Sequence, residues 1–230
     1  ALIVVNEKDL SIRDDLSSVE FPIFTETSSK VPLRSHTYLS KISKTTVEVR
    51  CFPDIGNATV KDKELWIFAL SHMMAAKNRG EQITNVLRFN LIDFFKFSGR
   101  SQGGRSYALF EKALQRLEST HVTIDRTFFE TGFTIKYPYK LIENFFIIDK
   151  NFVQITFPSR IIELIMRNEV LALDKHYFDL TVFERQVYEL VLRRIGKKNS
   201  FSISLDKLIA RLGSSQTTKH QKQAILAIVK

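Results

Sequence analysis

The sequence has few features that would cross-link the protein or anchor it. Its 230 residues include one cysteine, Cys51, which excludes an intramolecular disulfide and fits a reducing compartment. No apolar run approaches the ~18–20 residues of a membrane span. The apolar opening ALIVV is too short for a secretory core and has no basic residues before it. We therefore expect a cytoplasmic protein with no membrane contact.

Catalytic and metal-binding patterns are also lacking. The five histidines are scattered singly, and none shares a metal-ligand spacing with cysteine or another histidine. There is no nucleophile motif, no pair of histidines separated by one hydrophobe, and no carboxylate cluster typical of a two-metal nuclease. We expect no metal, no cofactor and no catalytic residue, so binding is the predicted activity.

One glycine pattern imitates a phosphate loop. Gly99, Gly104, Arg105 and Ser106 have its spacing, but a helix rather than a strand precedes them. An arginine also replaces the lysine that would reach the phosphates. Nucleotide hydrolysis is therefore not favoured.

Positive charge is concentrated near the end of the sequence. The chain carries a net charge of +9, and residues 184–230 alone hold ten Lys and Arg against three Asp and Glu. A local excess of this kind indicates an anionic partner, most simply nucleic acid. Lysine-rich solubility is the alternative explanation.

The stretch Asn90–Thr120 predicts a helix, a glycine turn and a second helix. Asn90 is a good N-cap before an apolar run, and Gly99 is placed to end the first helix. In the second helix, aromatic and leucine residues occupy one side, while Arg105, Lys112 and Arg116 occupy the other. Two such helices with a basic outer face are typical of helix-turn-helix modules.

The surrounding patterns predict an α+β protein with two tandem winged-helix domains. Residues 1–45 are expected to form an extended arm, within which Glu20–Phe24 anchors to the globular body. Residues 46–178 form the first domain, with a helix at Lys63–Arg79 and strands at 121–129, 132–139 and 145–157 in a large wing. The Lys63–Arg79 helix has so little polar face that it must be buried or covered by a partner subunit.

Residues 179–230 repeat the beginning of the same pattern. Helices are predicted at Thr181–Arg194, Leu205–Leu212 and Thr217–Lys230, with a short strand at Phe201–Ser204. No strands for a second wing follow, so this second domain is expected to be incomplete.

Several longer motifs resemble the replication initiator protein A family of bacterial plasmids. They are EFPIF at 20–24, ATVKDKELWIFALSHM at 58–73, FSGRSQGGRSYALFEKALQRLEST at 97–120, YFDLTVFERQVYELVLR at 177–193 and FSISLDKLIARLGS at 201–214. The resemblance implies a plasmid-associated dimer that binds repeated sites in double-stranded origin DNA. It implies that the first domain dimerises and contacts the DNA backbone, that the second reads bases, and that host replication initiator and helicase are possible partners. A transcriptional repressor of the same fold and, less favoured, an origin-nicking or nucleotide-hydrolysing enzyme remain as alternatives.

The basic face of the last predicted helix and the other cationic residues give a specific set of candidates. The predicted base-reading residues are Lys219, His220 and Gln223. The predicted DNA-backbone contacts are Arg100, Arg105, Lys112, Arg116, Arg185, Arg193, Arg194, Lys197, Lys198, Lys222 and Lys230. The predicted dimer interface on the apolar helix comprises Trp66, Phe68 and Met74.

Overall fold

The structure, a computed structural model, describes residues 3–4, 10–149, 151–195, 200 and 202–212. Within these ranges the strands are β1 (Ile3–Val4), β2 (Arg13–Asp15), β3 (Leu33–Leu39), β4 (Ser43–Arg50), β5 (Val86–Asn90), β6 (His121–Phe128), β7 (Thr134–Lys140), β8 (Asn144–Ile148), β9 (Phe152–Thr156) and β10 (Val170–Ala172). The helices are α1 (Leu16–Glu20), α2 (Lys63–Asn78), α3 (Leu91–Phe97), α4 (Gly104–Ser119), α5 (Arg160–Met166), α6 (Val182–Ile195) and α7 (Leu205–Leu212), with a 3-10 turn at Tyr177–Asp179.

Helix α2 is enclosed by its own chain. Twelve of its sixteen residues are buried, and the ring of Phe68 packs edge-on against Phe89 and Phe94 at centroid distances of 5.0 and 5.6 Å. Burial within the chain therefore explains the missing polar face. The prediction that Trp66 and Phe68 line a dimer interface is wrong, because both side chains are core residues. Met74 is partly buried against the same core, and its role at an interface stays a prediction.

Helices α3 and α4 form the helix–turn–helix pair predicted for Asn90–Thr120. Asn90 caps α3, since its side-chain oxygen accepts a hydrogen bond from the Ile92 backbone N–H at 3.0 Å. Gly99 follows the end of α3 at φ +66°, a left-handed conformation that favours glycine. The local signals for this pair are therefore confirmed.

A first sheet flanks this pair and has the strand order β1-β5-β9-β8. Strand β5 lies between α2 and α3 in the chain and pairs antiparallel with β9, which forms a hairpin with β8. Val153 and Ile155 of β9 are fully buried, so the sheet closes the core over the helices. The order in the chain is thus α2, β5, α3, α4 and, later, the β8–β9 hairpin.

The three strand segments predicted after α4 do not form one large wing. Strands β6 and β7 join a second sheet of order β3-β4-β6-β7, and the third predicted segment is divided into β8 and β9. Strand β6 pairs with β4 over eight residues, placing Val47, Val49, Val122 and Ile124 on one buried face. Burial of these four side chains offers a reason for the pairing between segments far apart in sequence.

The N-terminal region is partly regular structure. Residues 33–45, predicted to belong to an extended arm, instead supply strand β3 and the start of β4. Much of β3 and the first half of β4 are polar, so residues 33–45 lack the hydrophobic alternation that marks a strand in sequence. The predicted anchor at Glu20–Phe24 is confirmed, because Phe21, Ile23 and Phe24 are buried in the main core.

The later helices follow the sequence prediction closely. Helix α6 begins and ends within a residue of the predicted Thr181–Arg194, and α7 has the predicted bounds. The described residues 202–204 are not in a strand, contrary to the short strand predicted at Phe201–Ser204. The predicted helix Thr217–Lys230 lies outside the described residues.

Candidate nucleic-acid interface

The outer side of α4 carries two exposed cations, with the exposed Glu111 beside Lys112. Arg105 and Lys112 are exposed, while Phe110, Leu114 and Leu117 on the opposite side are buried in the main core. The exposed loop of residues 101–103 leads directly into this helix. Lysine and arginine side chains on the exposed side of a helix can reach phosphate oxygens without breaking any packing.

Arg100 and Arg116 also lie beside α4, but each is already paired with a carboxylate from the start of α2. Arg116 donates to both oxygens of Asp62 at 2.7 Å, and this hydrogen-bonded pair raises the pKa of its guanidinium. Arg100 donates through Nε to Glu64 and through Nη2 to the Lys61 carbonyl, both at 2.7 Å. The side chain of Arg100 is only 21% exposed and that of Arg116 only 17%. Both are therefore less accessible to a DNA phosphate than the exposed Arg105. Their DNA contacts stay predictions.

Arg185 is not a surface cation, and its prediction as a DNA-backbone contact is wrong. Its side chain is 1% exposed and its Nη1 lies 2.5 Å from Oε1 of Glu64. Its Nη2 and Nε donate to the carbonyls of Phe178 and Leu180 at 2.7 and 3.0 Å. Every arm of the guanidinium is therefore occupied inside the protein, and a phosphate has no access to it.

Next to that pair lies a second buried ionic group, centred on Lys63. Its Nζ is 2.6 Å from Asp14 and 2.6 Å from Glu189, and all three side chains are buried. The hydroxyl of Tyr177 also donates a hydrogen bond to Glu189. Burial raises the pKa of Asp14 from 3.8 to about 7, with Lys63 opposing the rise and Glu189 and Asp15 adding to it. The pKa of Lys63 is raised, because its two carboxylate partners outweigh the effect of burial, which acts to lower it.

These groups were missed in the sequence because their partners are distant. Asp62, Lys63 and Glu64 are three consecutive charges that resemble the solvated first turn of a helix. The available signal was that the rest of α2 is apolar around most of its circumference. Charges on such a helix are buried and must find partners, although the sequence does not say which.

The remaining predicted contacts divide into two groups. Arg193 and Arg194 are exposed in the last turn of α6, so they are free to contact a partner. The others lie outside the described residues and stay predictions: Lys197, Lys198, Lys219, His220, Lys222, Gln223 and Lys230.

The described part of the chain offers little sign of other kinds of site. No three His, Cys, Asp or Glu residues within it are placed together as metal ligands. Among the same residues, no helix combines the length and the apolar character that crossing a membrane requires. Its most prominent polar features are therefore the basic faces and the buried ionic groups.

Comparison with solved structures places the fold as a mixed α and β arrangement shared with RctB domains 2 and 3. A selenomethionine derivative of those domains superimposes with a TM-score of 0.70 at 9% identity, covering 93% of this chain and 80% of the other. A second structure of RctB domains 2–3 gives a TM-score of 0.65 at 10% identity, covering 92% and 80%. Identity this low shows the fold alone.

Sequence comparison adds the family. Residues 13–230 match the family described as Replication initiator protein A, and the chain belongs to that family. It is also 25% identical over 229 residues to a protein of Wigglesworthia glossinidia brevipalpis named "Putative replication protein", covering 96% of this chain and 81% of the relative. The resemblance inferred from the sequence motifs is confirmed, and the family gives the chain a role in replication initiation.

Proposed function

We propose that this chain binds double-stranded DNA at repeated sites of a plasmid origin and so helps to start replication. The observation that carries the proposal is the pair of exposed cations on the outer side of α4, displayed by a helix–turn–helix pair. Family membership supplies the replication context, and the basic excess in residues 184–230 supports an anionic partner.

The element order supports a winged-helix assignment for the first unit. Helix α2, strand β5, helices α3 and α4 and the β8–β9 hairpin follow the order of that module, with β6 and β7 as an insertion into another sheet. In such a module the second helix of the pair enters the major groove. We propose that α4 is this helix, and that Arg105 and Lys112 contact backbone phosphates.

Helices α6 and α7 begin a second unit of the same kind. In this proposal Arg193 and Arg194 contact phosphates at the end of α6. Lys219, His220 and Gln223 read base edges, since lysine can donate to guanine and glutamine can pair with adenine. The second unit thereby supplies sequence specificity and the first supplies affinity.

The proposal extends to partners and to the absence of catalysis. We propose a homodimer that engages a host initiator and helicase at the origin, and that acts without cleaving DNA or hydrolysing nucleotide. Incubation with supercoiled origin DNA, Mg²⁺ and ATP should give neither nicked circles nor free phosphate. Metal-dependent nicking or DNA-stimulated hydrolysis would contradict this part.

Fluorescence anisotropy with labelled origin fragments tests the DNA-binding proposal. If six to ten phosphates are contacted, affinity should fall by ~10³–10⁵ between 50 and 200 mM salt. The double variant Arg105→Ala/Lys112→Ala should weaken origin and scrambled DNA alike and reduce the salt slope by about 2. Lys44→Ala removes one exposed lysine from β4, in the other sheet, and serves as the control for the loss of a surface charge away from α4. A flat salt titration, or a double variant equal to Lys44→Ala, would contradict the proposal.

A further inference from the structure

One buried carboxylate joins the helix–turn–helix pair to α6. Glu64 lies in the first turn of α2 and is buried. Its Oε2 accepts a hydrogen bond of 2.7 Å from Nε of Arg100, in the turn between α3 and α4. Its Oε1 accepts one of 2.5 Å from Nη1 of Arg185 on α6. A single side chain therefore holds the turn that precedes α4 and a helix 121 residues further along the chain.

The neighbouring residue holds α6 at a second point. Nζ of Lys63 lies 2.6 Å from Glu189, one helical turn after Arg185, and 2.6 Å from Asp14 of the N-terminal segment. Arg185 and Glu189 are four residues apart and share one face of α6. Two contacts along one face fix both the rotation of α6 and its position against the start of α2.

The same contacts connect the two surfaces proposed to meet DNA. Arg105 and Lys112 follow the turn that Arg100 fixes, and Arg193 and Arg194 lie at the end of the helix that Arg185 and Glu189 fix. The separation of the two basic surfaces is thereby set by buried contacts and not by a free linker: the ionic contacts of Arg185 and Glu189, together with the packing of Tyr188 and Leu192 against the cluster that includes Ile67 of α2. We infer that Glu64 is a positioning residue that sets the spacing between the two halves of each DNA site; this rests on the proposed function.

Stability alone is a weak reason for this arrangement. Exchanging a buried ion pair for well-packed apolar residues of similar volume is often neutral or stabilising, so charge is not needed to hold two helices together. What an ion pair adds is direction, because a carboxylate accepts two guanidinium groups only in a narrow range of orientations. A fixed orientation between two DNA-binding surfaces is what a site of defined spacing requires.

The test measures how strongly binding depends on that spacing. Footprinting first locates the two protected halves of an origin site, and synthetic duplexes then carry insertions of one or two base pairs between them. Each inserted base pair turns the second half by about 34° and moves it ~3.4 Å along the axis. The wild-type chain should lose roughly 10- to 100-fold in affinity, comparable with the cost of a mismatched base pair.

The Glu64→Gln variant keeps the shape of the side chain and removes its charge. We expect its insertion penalty to fall below about 3-fold, because a loosened joint can adopt the new spacing at little cost. Glu130→Gln, at an exposed position in the β6–β7 turn, is the matched control and should keep the wild-type penalty. The penalty is a ratio of two affinities of one protein, so a general weakening of binding does not affect it.

The outcomes are separable. If Glu64→Gln is unfolded by circular dichroism, Glu64→Gln/Arg185→Gln removes both charges of the buried pair and should show the same relaxed spacing. A wild-type chain that binds the site but tolerates insertions would overturn this inference and leave the proposed function standing. A folded variant with the full wild-type penalty would overturn it too. Failure of the wild-type chain to bind any origin duplex would refute the proposed function, and this inference with it.

Discussion

Replacing Lys63 by methionine should strongly destabilise the fold. Lys63 is 1% exposed and its Nζ lies 2.6 Å from both Asp14 and Glu189. Methionine fills a similar volume but leaves two buried carboxylates without a counter-charge. Removing one partner from a buried ionic group typically costs ~3–5 kcal/mol.

The loss should depend on pH, because Asp14 can take up a proton. The pKa of Asp14 in the folded chain, about 7, is above its ordinary value of 3.8. A carboxyl group with a raised folded-state pKa stabilises the fold when protonated, and this contribution is lost as pH rises from about 4 through 7. Lys63→Met should therefore be more destabilising at pH 8 than at pH 6, where a protonated Asp14 no longer needs its counter-charge.

Urea unfolding followed by circular dichroism measures the effect at both pH values. Lys61→Met is the control. Lys61 is largely exposed, and its Nζ lies 3.7 Å from Glu64, which is a loose ion pair. Its replacement should cost less than ~1 kcal/mol. The triple variant Asp14→Asn/Lys63→Met/Glu189→Gln should recover much of the loss, since it replaces all three charges of this buried group. A Lys63→Met free energy of unfolding within 1 kcal/mol of the wild-type value would refute the argument.

Two further predictions concern the single residues Asn90 and His72. Asn90→Ala removes the N-cap of α3 and should lower the free energy of unfolding by urea by ~0.5–2 kcal/mol. Asn90→Ser keeps a capping oxygen and should retain most of the wild-type stability. Equal stability of the wild type and the two variants would contradict the role of the cap. Burial, assisted by Arg79, lowers the pKa of His72 from 6.5 to about 4, so its contribution to stability is present above pH 6.5 and is lost as pH falls towards 4. Between pH 7.5 and 4.5 the free energy of unfolding of the wild-type chain should fall by ~1–3 kcal/mol more than that of His72→Gln. Parallel pH profiles of the two proteins would contradict this.

Local features of the fold were predictable from the sequence. Asn90, Gly99 and the two-sided pattern of α4 each act within a few residues of their own position, and all three predictions are confirmed. Helices α2, α6 and α7 were likewise found close to their predicted bounds. The family resemblance was recognisable for the same reason, because its motifs are short and continuous.

Features that depend on distant pairing were not predictable. Strand β3 has a polar sequence and exists because it pairs with β4, which in turn pairs with β6 some eighty residues later. Arg185 was predicted to be an exposed cation, because its partner Glu64 is 121 residues away and no local pattern links the two. A charge count cannot distinguish an arginine in solvent from one buried against a carboxylate. The free cations Arg105 and Lys112 were predicted correctly as exposed because an amphipathic helix displays its own polar face.

Hydroxyl-radical footprinting of the full chain on the origin of its parent plasmid tests the central claim most directly. The account predicts short protected segments that recur with the repeated sequence, each divided into two halves at one constant separation. Protection should disappear from a fragment in which the repeats are scrambled. Uniform protection of any DNA, or no protection at chain concentrations in the micromolar range, would contradict the claim that this chain recognises origin repeats.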